Sequence, residues 1–171
     1  MQVGNTDFRA AISRLIEGHV RFVVIGGLAM IVRGATHITG DIDVAYDRSK
    51  ENLSAIAEVL RKSHARLRNV PADLPFILDE RTFRNVLNLT LTTDVGDMDL
   101  LAVPDGVDSF EGLWNRGETM DIYGMDVRVA SIDDLIAMKR VADRPKDRLH
   151  VLELLDLQQM LIDDARAGQA E

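Results

Sequence analysis

Two aspartates one residue apart, Asp41 and Asp43, lie in the run Asp41-Ile42-Asp43-Val44-Ala45-Tyr46. Alternation of this kind is the period-two pattern of a strand, and it places both carboxylates on one face, about 7 Å apart along the strand axis. A third acid, Asp99, sits within Gly96-Asp97-Met98-Asp99-Leu100-Leu101, an apolar strand where an unpaired charge costs several kcal/mol. Ligating a cation would explain it, as would pairing with an arginine; Asp97 shares its face and is the alternative ligand. Upstream, the β-branched run ending at Ile25 enters the glycine pair Gly26-Gly27. Glycines at a strand-to-helix turn let backbone N–H groups approach an anion. Carboxylate oxygens suit hard divalent cations, and two-metal phosphoryl chemistry needs such oxygens around ions about 3.5–4 Å apart. The expected chemistry is attack of a hydroxyl on an α-phosphorus, with a nucleoside triphosphate held through Mg²⁺ or Mn²⁺. Asp41, Asp43 and Asp99 would be the metal-binding catalytic set.

Lys139, Arg144 and Lys146 are the most concentrated basic residues, suited to a triphosphate or to the pyrophosphate leaving it. They could equally pair with Asp143 and Asp147 at a solvated helix junction. His37 reads as a structural residue or a neighbour of the site, and His19, His64 and His150 show no metal-ligand spacing. Arg81 and Arg84 flank Phe83 and read as surface residues.

Positioning these groups requires a scaffold of alternating elements. Helical spacing of Phe8, Ala11, Ile12, Leu15 and Ile16 predicts a helix over 7–18, and residues 21–25 a strand. A short buried helix over 28–32 follows, then a strand over 41–47 and an amphipathic helix over 51–63. Residues 65–84, marked by Pro71 and Pro75, read as an irregular lid or surface connection. Strands are predicted over 85–92 and 96–103, a short helix over 109–114, and a hairpin over 119–129 turning at Tyr123-Gly124. Ser131, with Asp134 three residues on, caps a helix through Val141; Pro145 breaks it, and a leucine-rich helix runs over 146–166. The fold class is α/β, a single mixed sheet with helices packed on it. Residues 1–171 are expected to form one domain, with its core over about 20–130 and C-terminal helices over 131–166.

The 171 residues are 46% apolar and 28% charged, a globular composition long enough to bury a core. A net charge of −8 weighs against a surface that wraps nucleic acid, although bound metal would still admit a nucleotide. Cysteine is absent, and neither a membrane-spanning run nor a signal peptide is visible, so a cytoplasmic protein without disulfides is expected.

Ile25-Gly26-Gly27, then thirteen residues, then Asp41-Ile42-Asp43-Val44, resembles the motif of the DNA polymerase beta-type nucleotidyltransferase superfamily. Within it the chain is most similar to the small AbiEii-type bacterial nucleotidyltransferases, some of them toxins of toxin–antitoxin pairs. Residues 96–101 resemble that group's third-carboxylate strand. Ser131-Ile132-Asp133-Asp134-Leu135-Ile136-Ala137-Met138-Lys139 and Arg144-Pro145-Lys146-Asp147 resemble its distal block. The likeness spans roughly residues 20–157. It implies a nucleotidyltransferase fold and transfer of a nucleoside monophosphate to an RNA end, a protein or a small molecule. It also implies a cognate toxin or antitoxin partner and a nucleotide site formed by Gly26, Gly27, His37, Thr39, Lys139, Arg144 and Lys146. At His37 these relatives usually carry an arginine. The competing expectations are a nucleotide-binding protein without turnover and an interaction module of the same fold.

Overall fold

In a computed structural model, residues 6–71 and 79–168 are described. Seven strands form one mixed sheet in the order β3-β4-β5-β2-β1-β7-β6. The strands are β1 (Phe22–Ile25), β2 (Asp41–Tyr46), β3 (Arg66–Leu67), β4 (Asn88–Thr93), β5 (Gly96–Leu101), β6 (Glu118–Ile122) and β7 (Met125–Val129). Two pairings matter most for function. β2 runs antiparallel to β1, with Ile25 opposite Asp43, and parallel to β5, with Asp41 opposite Asp97 and Asp43 opposite Asp99. Four acids therefore stand as a square on two adjacent central strands. Their alternating partners Ile42, Val44, Met98 and Leu100 are buried, which pins the register, since a one-residue slip would exchange acids for core.

The helices are α1 (Phe8–Glu17), α2 (Gly26–Val32), α3 (Lys50–Lys62), α4 (Glu80–Asn85), α5 (Phe110–Arg116), α6 (Ile132–Ala142) and α7 (Pro145–Ala167). Most start at a residue whose side chain accepts a backbone N–H of the first turn: Asp7, Ser49, Asp79, Ser109 and Ser131. Buried Asn52 of α3 ties the sheet's centre together: its Oδ1 accepts from the Arg21 N–H at 2.6 Å. Its Nδ2 donates to the carbonyls of Arg21 (3.0 Å) and Asp47 (2.7 Å), fixing the β1 entry against the β2 exit. No helix among the described residues is long and apolar enough to cross a membrane.

The structure departs from the sequence expectations at three places. The 65–84 segment carries β3 at one end and α4 at the other; residues 72–78, Pro75 among them, lie outside the described residues. Within α4, Phe83 is fully buried, edge-on to Tyr46 with ring centroids 6.4 Å apart. The strand expected from Asn85 begins at Asn88, because 85 still belongs to α4. Pro145 does not lie between helices but opens α7 at its first position, where a missing N–H is harmless.

Candidate active site

The register places Gly26 beside the Asp43 carboxylate. Gly26 has φ +63°, and a Cβ there would stand 2.0 Å from Asp43 Oδ2. A Cβ on Gly27 would stand 2.6 Å from both Cβ and Oγ1 of Thr39. Any side chain at either glycine would collide with the acidic strand, so the pair lets the α2 turn close onto β2. Thr39 Oγ1 donates to Asp41 Oδ1 at 3.1 Å. The glycine pair thus makes a tight strand-to-helix turn against the acids.

Asp41, Asp43 and Asp99 each offer an oxygen such that all three atoms lie within 4.8 Å of one another. All three are partly buried. Burial, then the neighbouring charges of Asp41 and Asp99, push the Asp43 carboxyl up to about 7. Burial also raises Asp99, opposed by Arg68 beside it and assisted by Asp41 and Asp97. A divalent cation bound here would offset the burial and the neighbouring negative charges that raise Asp43 and Asp99. The donor set, three carboxylates with hard oxygens, fits Mg²⁺ or Mn²⁺.

Asp43, alone of the three, also lines a cavity of about 200 Å³. It is lined by Ile25, Gly26, Asp43, Leu135, Met138, Lys139 and Arg144 among others, an apolar pocket with cations at one side. Lys139 and Arg144 thus meet the site, while Lys146 is exposed and does not line the cavity. Both are anchored by Asp147, which is completely buried. Its oxygens lie 2.6 Å from Arg144 Nε and 3.4 Å from Lys139 Nζ. Asp147 also accepts the Arg144 N–H at 3.2 Å, closing the first turn of α7. Despite its burial, the Arg144 hydrogen bond and the Lys139 charge hold its carboxyl down at about 2. Of the pairing expected at this junction, Asp147 takes Lys139 and Arg144 from a buried position, whereas Asp143 pairs with Arg148 instead.

His37 engages α7. Its ring stacks on His150 with centroids 4.6 Å apart, and its Nδ1 lies 3.6 Å from Glu153 Oε2. Glu153 Oε1 accepts the Thr36 N–H at 2.7 Å, so this corner docks the loop before β2 onto the last helix. Arg81 and Arg84 are exposed, and the Arg84 carbonyl accepts from Arg48 at 2.8 Å.

One central residue escaped the sequence reading. Arg68, just beyond β3, reaches under β4 to the acids: Nη2 donates to Asp99 Oδ1 at 2.7 Å and to the Leu91 carbonyl at 3.1 Å. Its Nε lies 3.4 Å from Asp97, and its Nη1 lies 3.7 Å from Asp41. A two-residue strand in a segment without periodicity gives no warning of this; only the search for an arginine partner of Asp99 could have raised it.

A mixed sheet with paired acids on adjacent parallel strands, a glycine turn and a cavity beside them bearing Lys139 and Arg144 defines a nucleotidyltransferase fold. The chain belongs to the family of nucleotidyltransferases of unknown function designated DUF6036, which matches residues 8–163. No curated protein sequence matches the chain. Among solved structures it resembles the lincosamide adenylyltransferase LnuA with lincomycin bound, at 13% identity and TM-score 0.58, over 90% of this chain and 99% of that one. It also resembles the ANT(2″)-Ia complex with adenylyl-2″-tobramycin, at 15% identity and TM-score 0.56, over 92% and 91% of the two chains. A third is a Thermotoga maritima protein described as a nucleotidyltransferase, at 16% identity and TM-score 0.51, over 91% and 90%. At these identities the likeness speaks to fold.

Proposed function

We propose that the protein transfers a nucleoside monophosphate from an NTP to a hydroxyl acceptor in a metal-dependent reaction. The convergence of Asp41, Asp43 and Asp99 within 4.8 Å, beside a cavity bearing Lys139 and Arg144, carries this reading. When bound to the three carboxylates, Mg²⁺ or Mn²⁺ would supply neutralisation of phosphate charge and activation of the acceptor oxygen. Lys139 and Arg144 receive the β- and γ-phosphates and stabilise the charge on the departing pyrophosphate. Asp99 takes the acceptor's proton as the new oxygen–phosphorus bond forms and the bond to pyrophosphate breaks. Thr39 holds Asp41 in place, and the Gly26–Gly27 turn lets phosphate approach its amides.

Two acceptor classes are supported by different observations. The distal block over 131–147 resembles that of AbiEii-type toxins, which points to RNA or protein and to a toxin–antitoxin partner. The LnuA structure is lincomycin-bound and the ANT(2″)-Ia structure is a complex with adenylyl-2″-tobramycin, which points to a small molecule. A net charge of −8 and four clustered acids disfavour a polyanion, so a protein or small-molecule hydroxyl is preferred over RNA. The test is incubation with α-labelled NTPs, Mn²⁺ and a cell extract split into RNA, protein and small-molecule fractions. Label is expected in one of the latter two fractions and lost with Asp41→Asn. Transfer that survives Asp41→Asn contradicts the site, and labelled RNA contradicts the acceptor preference.

A further inference from the structure

Arg68 stands where the account of the active site has no use for it. Its guanidinium is shared among three carboxylates from two strands, and two of these, Asp41 and Asp99, belong to the converging triad. A guanidinium built as a rigid clamp grips one carboxylate with two parallel short bonds. Here only the Asp99 contact is short, at 2.7 Å; Asp97 and Asp41 lie at 3.4 and 3.7 Å. The Arg68 Nε is buried without a hydrogen bond. The side chain is also one-fifth exposed. These are the marks of a counter-ion spread over an acidic cluster, and less those of a fixed structural pair.

Resting on the metal-binding reading above, we propose that Arg68 is the site's internal counter-ion, which a divalent cation must displace from Asp99 and Asp41. Two cations cannot share those oxygens without strong repulsion at this range and burial. Arg68 therefore sets the metal affinity: it keeps Asp41, Asp97 and Asp99 together in the metal-free protein and opposes loading. The tighter the guanidinium holds Asp99, the more metal is needed to fill the site.

The test is Mn²⁺ affinity, followed by electron paramagnetic resonance of the free ion, on the full chain without nucleotide. Arg68→Met keeps length and loses charge, Arg68→Gln loses charge with a shorter polar side chain, and Arg68→Lys keeps charge. The two neutral variants are expected to bind Mn²⁺ roughly tenfold more tightly than the unsubstituted protein, with Arg68→Lys close to it. Adding Asp43→Asn to Arg68→Met should abolish the gain. In parallel, the neutral variants should melt lower than the parent without metal and recover more on adding Mn²⁺. A merely structural arginine predicts the reverse, weaker binding on removal. Unchanged or weaker Mn²⁺ binding in whichever neutral variant folds would overturn the proposal while leaving the metal site standing. If neither the parent nor any variant binds Mn²⁺ at the carboxylates, the metal-binding reading falls and this one with it.

Discussion

Asp43→Asn is expected to give a protein that folds more stably than its parent and has lost most of its transfer activity. The Asp43 carboxyl is raised from 3.8 to about 7 by burial and by the charges of Asp41 and Asp99. A carboxyl raised on folding binds more protons in the native than in the unfolded chain between those values, so stability falls as pH climbs through that window. Above it the whole penalty is present, on the order of a few kcal/mol. Asparagine removes the charge while keeping the shape beside Gly26. In the metal-free protein at about pH 8 the variant should therefore melt several degrees higher. The difference should shrink as the pH is lowered toward about 5, where the parent's carboxyl is protonated. Excess Mn²⁺ should reverse the order by stabilising the parent alone. Transfer should drop by about 10³-fold or more, the scale seen when a group that meets developing charge is removed. Melting curves at several pH values, with and without metal, check the first half; a single-turnover transfer assay checks the second.

Asp147→Ala is expected to act in the opposite direction. Asp147 has no exposed surface, holds Lys139 and Arg144, and closes the first turn of α7. Removing it leaves the mostly buried Lys139 ammonium without its partner, a loss of about 3 kcal/mol or more. Its carboxyl is depressed from 3.8 to about 2, so its contribution is complete above the unfolded value and disappears as pH falls through the folded one. Denaturant unfolding near neutral pH should show the whole difference, and acid unfolding toward about pH 2 should erase it. NTP affinity should fall as well, since both cations that line the cavity are aimed by this one carboxylate.

Much of this architecture was legible because its determinants are local. Alternation around Asp41 and Asp43 announces a strand, and the Ser131 cap announces α6; in the structure Ser131 Oγ accepts the Asp134 N–H at 3.1 Å. Asp99 could be singled out because an acid among apolar strand residues needs a partner. Pairing between β2 and β5 bridges more than fifty residues of chain, and it puts the third acid on the same face as the other two.

What could not be read depends on contacts without a periodic trace. β3 has two residues, too few to alternate, yet it delivers Arg68. The glycine pair suggested a phosphate cradle on chemical grounds, but its shape requirement, clearance for Asp43 and Thr39, exists only once β1 and β2 are in register. Asp147 was visible as an acid near a basic group. Its full burial, which converts a surface pair into a positioning device, follows from how α6 meets α7.

The most direct measurement is calorimetric titration of a non-hydrolysable NTP analogue into the protein with Mn²⁺ and then with chelator. Three acids that hold metal for a phosphorylated ligand predict binding that requires the ion and vanishes in Asp43→Asn. Binding that is equally strong in chelator, or undiminished in that variant, would mean that these carboxylates do not form a nucleotide-metal site.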